Sequence, residues 1–140
     1  MKDPRSLIKL GNEDSHQVAV MARVAQLRKQ CDELRWLFHI PNGEQRNAIT
    51  GARLKAMGVK SGAVDLAWLV PRRGFHGLLL ELKHDATGLS ANAREAMVSP
   101  TLKDFLTFHS EQGYCCGVAY GYDEAMLAIC WYGNILVEEV

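Results

Sequence analysis

Apolar residues along this chain fall into runs of two periods, and the clearest run lies at its centre. Residues 62–83 read GAVDLAWLVPRRGFHGLLLELK, two apolar stretches around a Pro-Arg-Arg-Gly turn. That pattern predicts a β-hairpin with strands over 63–70 and 75–83. Charge stands where a buried strand has none: Asp65 interrupts the first stretch, and Glu81 with Lys83 closes the second. Side chains alternate along a strand, so Glu81 and Lys83 share one face while Leu80 and Leu82 share the other. Pairing brings Asp65 near Glu81. Two carboxylates and an ammonium then meet at one spot, an arrangement able to hold a divalent cation.

Elsewhere the spacing is mostly helical. Asn12 predicts an N-cap, with Glu13 and Asp14 in the first turn where negative charge suits the helix dipole. Val18, Met21, Ala22, Ala25 and the stem of Arg28 predict the buried stripe of that helix. Arg35–Ile40 reads as a short strand stopped by Pro41-Asn42-Gly43, and 48–57 as a second helix ended by Gly58. The segment 84–98 is polar and partly helical. Ser99-Pro100 is a helix start, followed by Leu102, Phe105, Leu106 and His109 at helical spacing up to Gly113. Residues 114–120 predict a further strand and 122–134 a last helix. The order α-β-α-β-β-α-β-α gives an α/β fold, a mixed central sheet flanked by helices. Residues 1–11, with Pro4 and Gly11 as breakers, read as a flexible leader, and 12–140 as one domain.

Composition narrows the function classes. The chain has 140 residues, 48% apolar and 23% charged, with 16 basic and 16 acidic side chains. A zero net charge argues against coating nucleic acid through bulk charge. Local clustering leaves binding open: Arg46, Arg53, Lys55 and Lys60 precede the hairpin, and Arg72 and Arg73 sit in its turn. No run is long enough to span a bilayer, and the first residues lack the apolar core of a signal peptide. The four cysteines show no CxxC pair, so zinc spacing is absent and a reducing cytosol is the expected setting.

Asp65, Glu81, Leu82 and Lys83 have the form D-x(n)-E-x-K. Around them, in order, stand Glu13-x-x-x-Gln17, Pro41-Asn42-Gly43, Gly58-Val59-Lys60-Ser61-Gly62-Ala63-Val64-Asp65, Gly77-Leu78 and Gly113-Tyr114. Together they resemble the virus-type replication-repair nuclease (VRR-NUC) domain of the restriction-endonuclease-like PD-(D/E)xK superfamily, over residues 13–132. One position departs. The family commonly carries Ser-x-x-Gln on the helix before the Gly-Tyr pair; Ser99 puts Leu102 at the glutamine, and the alternative Ser90 puts Ala93 there. Residues 88–98 look like an insertion.

The resemblance implies a Mg²⁺- or Mn²⁺-dependent endodeoxyribonuclease. Its metal ligands would be Asp65, Glu81, the Leu82 carbonyl and Glu13, with Gln17 holding Glu13 or a water. Lys83 would handle the attacking water or neutralise the phosphate. Asn42, Arg46, Arg53 and Lys60 would meet DNA. For so small a chain the expectation is a homodimer on branched DNA, a Holliday-junction resolvase, with two sites related by a dyad. Rival expectations are a flap, nicking or restriction-like nuclease and a DNA-binding module that has lost catalysis. No membrane partner is expected.

Overall fold

The computed structural model describes residues 2–9, 12–41 and 48–136. Five α-helices and four strands follow in the order α1 (Glu13–Leu27), β1 (Phe38–His39), α2 (Ala48–Ala56), β2 (Leu66–Trp68), β3 (Leu78–Lys83), α3 (Ala91–Glu95), α4 (Pro100–Glu111), β4 (Cys115–Tyr120) and α5 (Tyr122–Gly133). The expected order therefore holds, with α3 added inside the polar segment. The strands form one mixed sheet, β1-β2-β3-β4, antiparallel except for the parallel β3–β4 pair.

The central hairpin forms as its residues dictate, with shorter strands than expected. Leu66 opposes Leu80 and Trp68 opposes Leu78. Beyond them Arg72 and Phe75 exchange both backbone hydrogen bonds around Arg73 (φ 53°) and Gly74 (φ 82°). Two left-handed central residues make the tight turn whose twist matches that of paired strands. Trp68 anchors the hairpin: it is fully buried, its indole Nε1 donates to the Glu33 carbonyl at 2.9 Å, and its ring meets Tyr132 edge-on at 5.7 Å. Tyr132 in turn donates its hydroxyl to the Val70 carbonyl at 2.6 Å.

Helices cover the two faces of the sheet. Leu66, Trp68, Leu78, Leu80 and Leu82 pack with Val20, Val24 and Leu27 of α1 and with Met126 and Ile129 of α5. On the opposite face Ala67 and Leu79 pack with Val64 and with Leu102 of α4. Alternation therefore puts Asp65, Glu81 and Lys83 on the face that carries α4.

Three expectations need correction. The buried face of α1 is Ser15, Ala19, Val20, Val24 and Leu27, while Val18 is 56% exposed and Ala25 is exposed. Small residues carry much of that face, and apolarity alone does not reveal them. The strand expected over 35–40 shrinks to two residues because Asp32–Trp36 forms a 3₁₀ helix, with Asp32 and Glu33 in its first turn. Part of the expected leader is packed: Pro4–Leu7 is a 3₁₀ helix with Pro4 buried, and Arg5 lies over the Tyr122 ring and pairs with Asp123.

Candidate active site

The acids of the hairpin meet where the β2–β3 ladder stops. Leu66 is the last paired residue of β2, so the next backbone N–H across, that of Leu82, has no strand partner to donate to. It donates instead to Asp65 Oδ2 at 2.8 Å. The Asp65 carbonyl is held as well, accepting from the Ile40 N–H at 2.7 Å and the His39 ring Nδ1 at 2.8 Å. Asp65 is thereby fixed at both its side chain and its main chain. Gly62 shapes the approach to it: its φ is 85°, and a Cβ there would lie 2.6 Å from Thr101 Cγ2 on α4.

Glu81 lies opposite Asp65, one step along the same register. Its side chain is only 12% exposed. One oxygen, Oε2, faces Lys83 Nζ at 3.4 Å; the other, Oε1, is buried without a hydrogen-bond partner among the described residues. Burial pushes the Glu81 carboxyl up to about 8, Asp65 adds to the shift by charge and hydrogen bonding, and Lys83 opposes it. Burial and the neighbouring Asp65 thus favour a proton on Glu81 in the metal-free chain, and its Oε1 is left without a hydrogen-bond partner. A divalent cation would displace that proton and give the orphaned oxygen a partner, so the chemistry of these donors fits the metal that the family pattern implies. Leu82 adds a third oxygen. The Lys83 carbonyl accepts from Gly121 on the β4 side. Alternation then turns the Leu82 carbonyl the other way, toward the side where Asp65 ends the ladder.

The other expected residues stand further out. Glu13 opens α1 and contacts His84, with Oε2 3.4 Å from Nε2. Gln17 is half-buried one turn later. Among the described residues no group of three or more His, Cys, Asp or Glu is gathered closely enough to share an ion, so Glu13 does not join Asp65 and Glu81 in one cluster. Arg53, on the last turn of α2, and Lys60, in the turn that follows it, are both exposed. Asn42 and Arg46 lie outside the described residues. Leu102, at the family's glutamine position, is 2% exposed within the α4 core. Its apolar side chain brings no amide to that position. Arg72 and Arg73 lie at the far end of the hairpin, paired with Glu33 and with the Trp131 carbonyl and ring.

Two residues at the site escaped the sequence reading. His39 holds Asp65 only because β1 pairs with β2, which a two-residue strand does not announce. His84 follows Lys83 directly, and its contact with Glu13 needs the end of β3 beside the start of α1.

The fold and this constellation define a restriction-endonuclease-like nuclease domain. A solved structure titled "VRR_NUC domain protein" superposes with a TM-score of 0.70 and 29% identity, covering 91% of this chain and 93% of that one. The chain carries a VRR-NUC domain, as its motif order implied. No protein-family model matches it, and no curated protein does. No helix among the described residues is long and apolar enough to cross a membrane, and all four cysteines are free.

Proposed function

We propose that this chain is a metal-dependent, structure-specific DNA endonuclease, acting as a homodimeric Holliday-junction resolvase in the cytosol. The observation that carries the reading is the orphaned Glu81 oxygen beside Asp65 and Lys83. Asp65, Glu81 and the Leu82 carbonyl would hold Mg²⁺ or Mn²⁺, hard cations that prefer such oxygen ligands. When bound, the ion supplies Lewis-acid stabilisation of the phosphate and of the leaving oxygen.

The chain's own residues do the rest. Asp65 is pre-set by three hydrogen bonds, one to its carboxylate and two to its backbone carbonyl. Lys83, whose Nζ lies 3.4 Å from Glu81 Oε2, faces the charge that builds on the phosphate as water adds to phosphorus. The bond to the 3′-oxygen breaks, leaving 3′-hydroxyl and 5′-phosphate ends, and the water's protons pass to the departing oxygen and to solvent. Glu13 and Gln17 would flank the site from α1. Arg53 and Lys60, with Asn42 and Arg46, would take the DNA backbone, a role that fixes position rather than sequence.

Labelled four-way junction, flap and linear duplex, each incubated with Mg²⁺ or Mn²⁺, test the substrate. Paired symmetric nicks on the junction support the proposal. Single cuts on the flap or sequence-specific cuts on the duplex replace resolution by a flap, nicking or restriction-like activity. Leu102 motivates a second reading, a DNA-binding module without catalysis, which predicts junction binding and no product with either metal.

A further inference from the structure

Two large aromatic side chains lie open on the face of the sheet that carries the acids. Phe38 opposes Ala67 in the β1–β2 register, and two residues on, the Ile40 N–H donates to the Asp65 carbonyl. Residues directly opposite each other share a face, so Phe38, Ile40, Asp65 and Glu81 stand on one side. Ile40 packs against the α4 cluster, whereas Phe38 is 45% exposed. Leu37 is extended (φ −74°, ψ 124°) and buried among the helices of the other face, which turns Trp36 to the side of Phe38. Trp36 is 62% exposed, and Leu69, in step with Ala67, is 57% exposed.

Neither ring completes the core. Trp68 shows what a tryptophan does there, fully buried with its Nε1 bonded to a carbonyl. Trp36 instead carries the Arg35 guanidinium over its ring, 5.0 Å from the centroid. Exposed aromatic rings with a cation stacked on one of them are the makeup of a base-stacking surface. Phosphate is not what this corner collects, because Arg35 pairs with Asp32 and Arg72 with Glu33. Position selects the occupant. From strand spacing and rise, the Cα atoms of Phe38 and Asp65 lie about 8 Å apart, roughly two base steps at about 3.4 Å each. A DNA strand with a phosphate at the acids lays its neighbouring nucleotides over this corner. In an intact duplex those bases are already stacked and paired; an unpaired base has a free face to offer.

We propose that Trp36 and Phe38 form a stacking platform for an unpaired base flanking the cleaved phosphate, which makes DNA opened beside the cut the substrate class. Leu69 widens the apolar surface. A ring stacks on any base, so the platform selects the unpaired state and not a sequence. Its use beside a cut rests on the nuclease reading; the stacking of an unpaired base does not.

Fluorescence of 2-aminopurine, quenched when the base stacks, reads the platform on the full chain without metal and leaves cleavage out of the measurement. Wild type should quench a single-stranded oligonucleotide that carries it. Trp36→Ala and Phe38→Ala should each bind that strand about tenfold more weakly, the scale of losing one stacked base, and keep wild-type affinity for fully paired duplex. Trp36→Phe and Phe38→Tyr, which keep a ring, should quench as wild type does. Both side chains are exposed, so all four variants should melt with wild type. With Mn²⁺, DNA with an unpaired base beside the cut should be cleaved faster than DNA with an abasic site there. The alanine variants should erase that preference and cut the abasic substrate as before. Alanine variants that weaken single strand and duplex alike, or neither, overturn the proposal. So does a fall in their mass by light scattering, which would make the corner a contact between copies. A wild type that quenches 2-aminopurine and cleaves no DNA sinks the nuclease reading and leaves the platform standing.

Discussion

Asp65 accepts the backbone N–H of Leu82 at 2.8 Å, so the first acid of the site also terminates the ladder of the central hairpin. Catalytic charge and local structure are therefore joined in one carboxylate, and two substitutions separate them. Asp65→Asn keeps an acceptor for Leu82 and removes the charge. It should melt within about 1 kcal/mol of wild type, since a neutral hydrogen bond is retained, while cleavage falls by roughly 10²–10³-fold, the scale of losing a key electrostatic group. Asp65→Ala leaves the Leu82 N–H without its partner and should cost a further 1–3 kcal/mol or so. Thermal melts beside single-turnover cleavage check both.

The raised Glu81 carboxyl has a consequence for stability. Its ordinary value is 4.5, and burial beside Asp65 lifts it to about 8 in the folded chain. Between those values the folded state keeps a proton that the unfolded chain has lost. The contribution to stability is therefore complete below 4.5 and disappears as pH rises through 8. Metal-free protein should melt at progressively lower temperature across this window, and Glu81→Gln should flatten the dependence. Mn²⁺ should raise the melting temperature of wild type most at the alkaline end, where the carboxylate is ionised, and raise that of Glu81→Gln far less.

Much of this was legible because the informative residues are local. The alternation Leu80-Glu81-Leu82-Lys83 and the turn before it specify a strand and its register, and Asn12 and Ser99 cap α1 and α4 as expected, accepting from Ser15 and Leu102. What escaped is set by tertiary contact. Ser15 and Ala19 are buried on α1 because α5 and the leader pack there, although Val18 is the more apolar residue. His39 at Asp65 and His84 at Glu13 come from segments far apart in sequence. Arg72 and Arg73 joined the basic cluster only on paper, since their ends bind Glu33 and Trp131.

That last difference predicts where DNA sits. Arg53→Ala and Lys60→Ala should weaken junction binding for all sequences alike. Each should lower the slope of log affinity against log salt by about 0.9, one phosphate contact apiece. Arg72→Ala and Arg73→Ala should leave affinity and slope unchanged. Fluorescence anisotropy over a salt series reads all four.

Glu13 and His84 make a separable pair. Their 3.4 Å contact lies outside the Asp65–Glu81 cluster. If Glu13 serves the site, Glu13→Gln should lower cleavage by about tenfold, an acid's contribution of about 1.4 kcal/mol, with an unchanged melt. His84→Ala should leave cleavage within a few-fold of wild type, because it removes Glu13's neighbour and not the acid. Equal loss in both variants would assign the function to His84 instead.

Leu102 tests the departure from the family pattern. Leu102→Gln restores the family's residue type but sets an amide in an apolar cluster with Val64, Ala67 and Leu79. Burial of an unpartnered amide costs about 1–3 kcal/mol on mutational scales. The variant should therefore melt lower and cleave no faster. A gain in activity would show that the amide reaches the acids after all.

The account turns on Asp65, Glu81 and Lys83 acting as one phosphodiester-cleaving site. Its most direct measurement is cleavage of labelled DNA by purified protein, with and without Mn²⁺, by wild type, Asp65→Asn and two lysine variants. Products should appear only with the metal, fall by roughly 10²–10³-fold in Asp65→Asn and Lys83→Ala, and persist in larger part in Lys83→Arg, which keeps a long basic side chain. Equal cleavage by wild type and Asp65→Asn would contradict it.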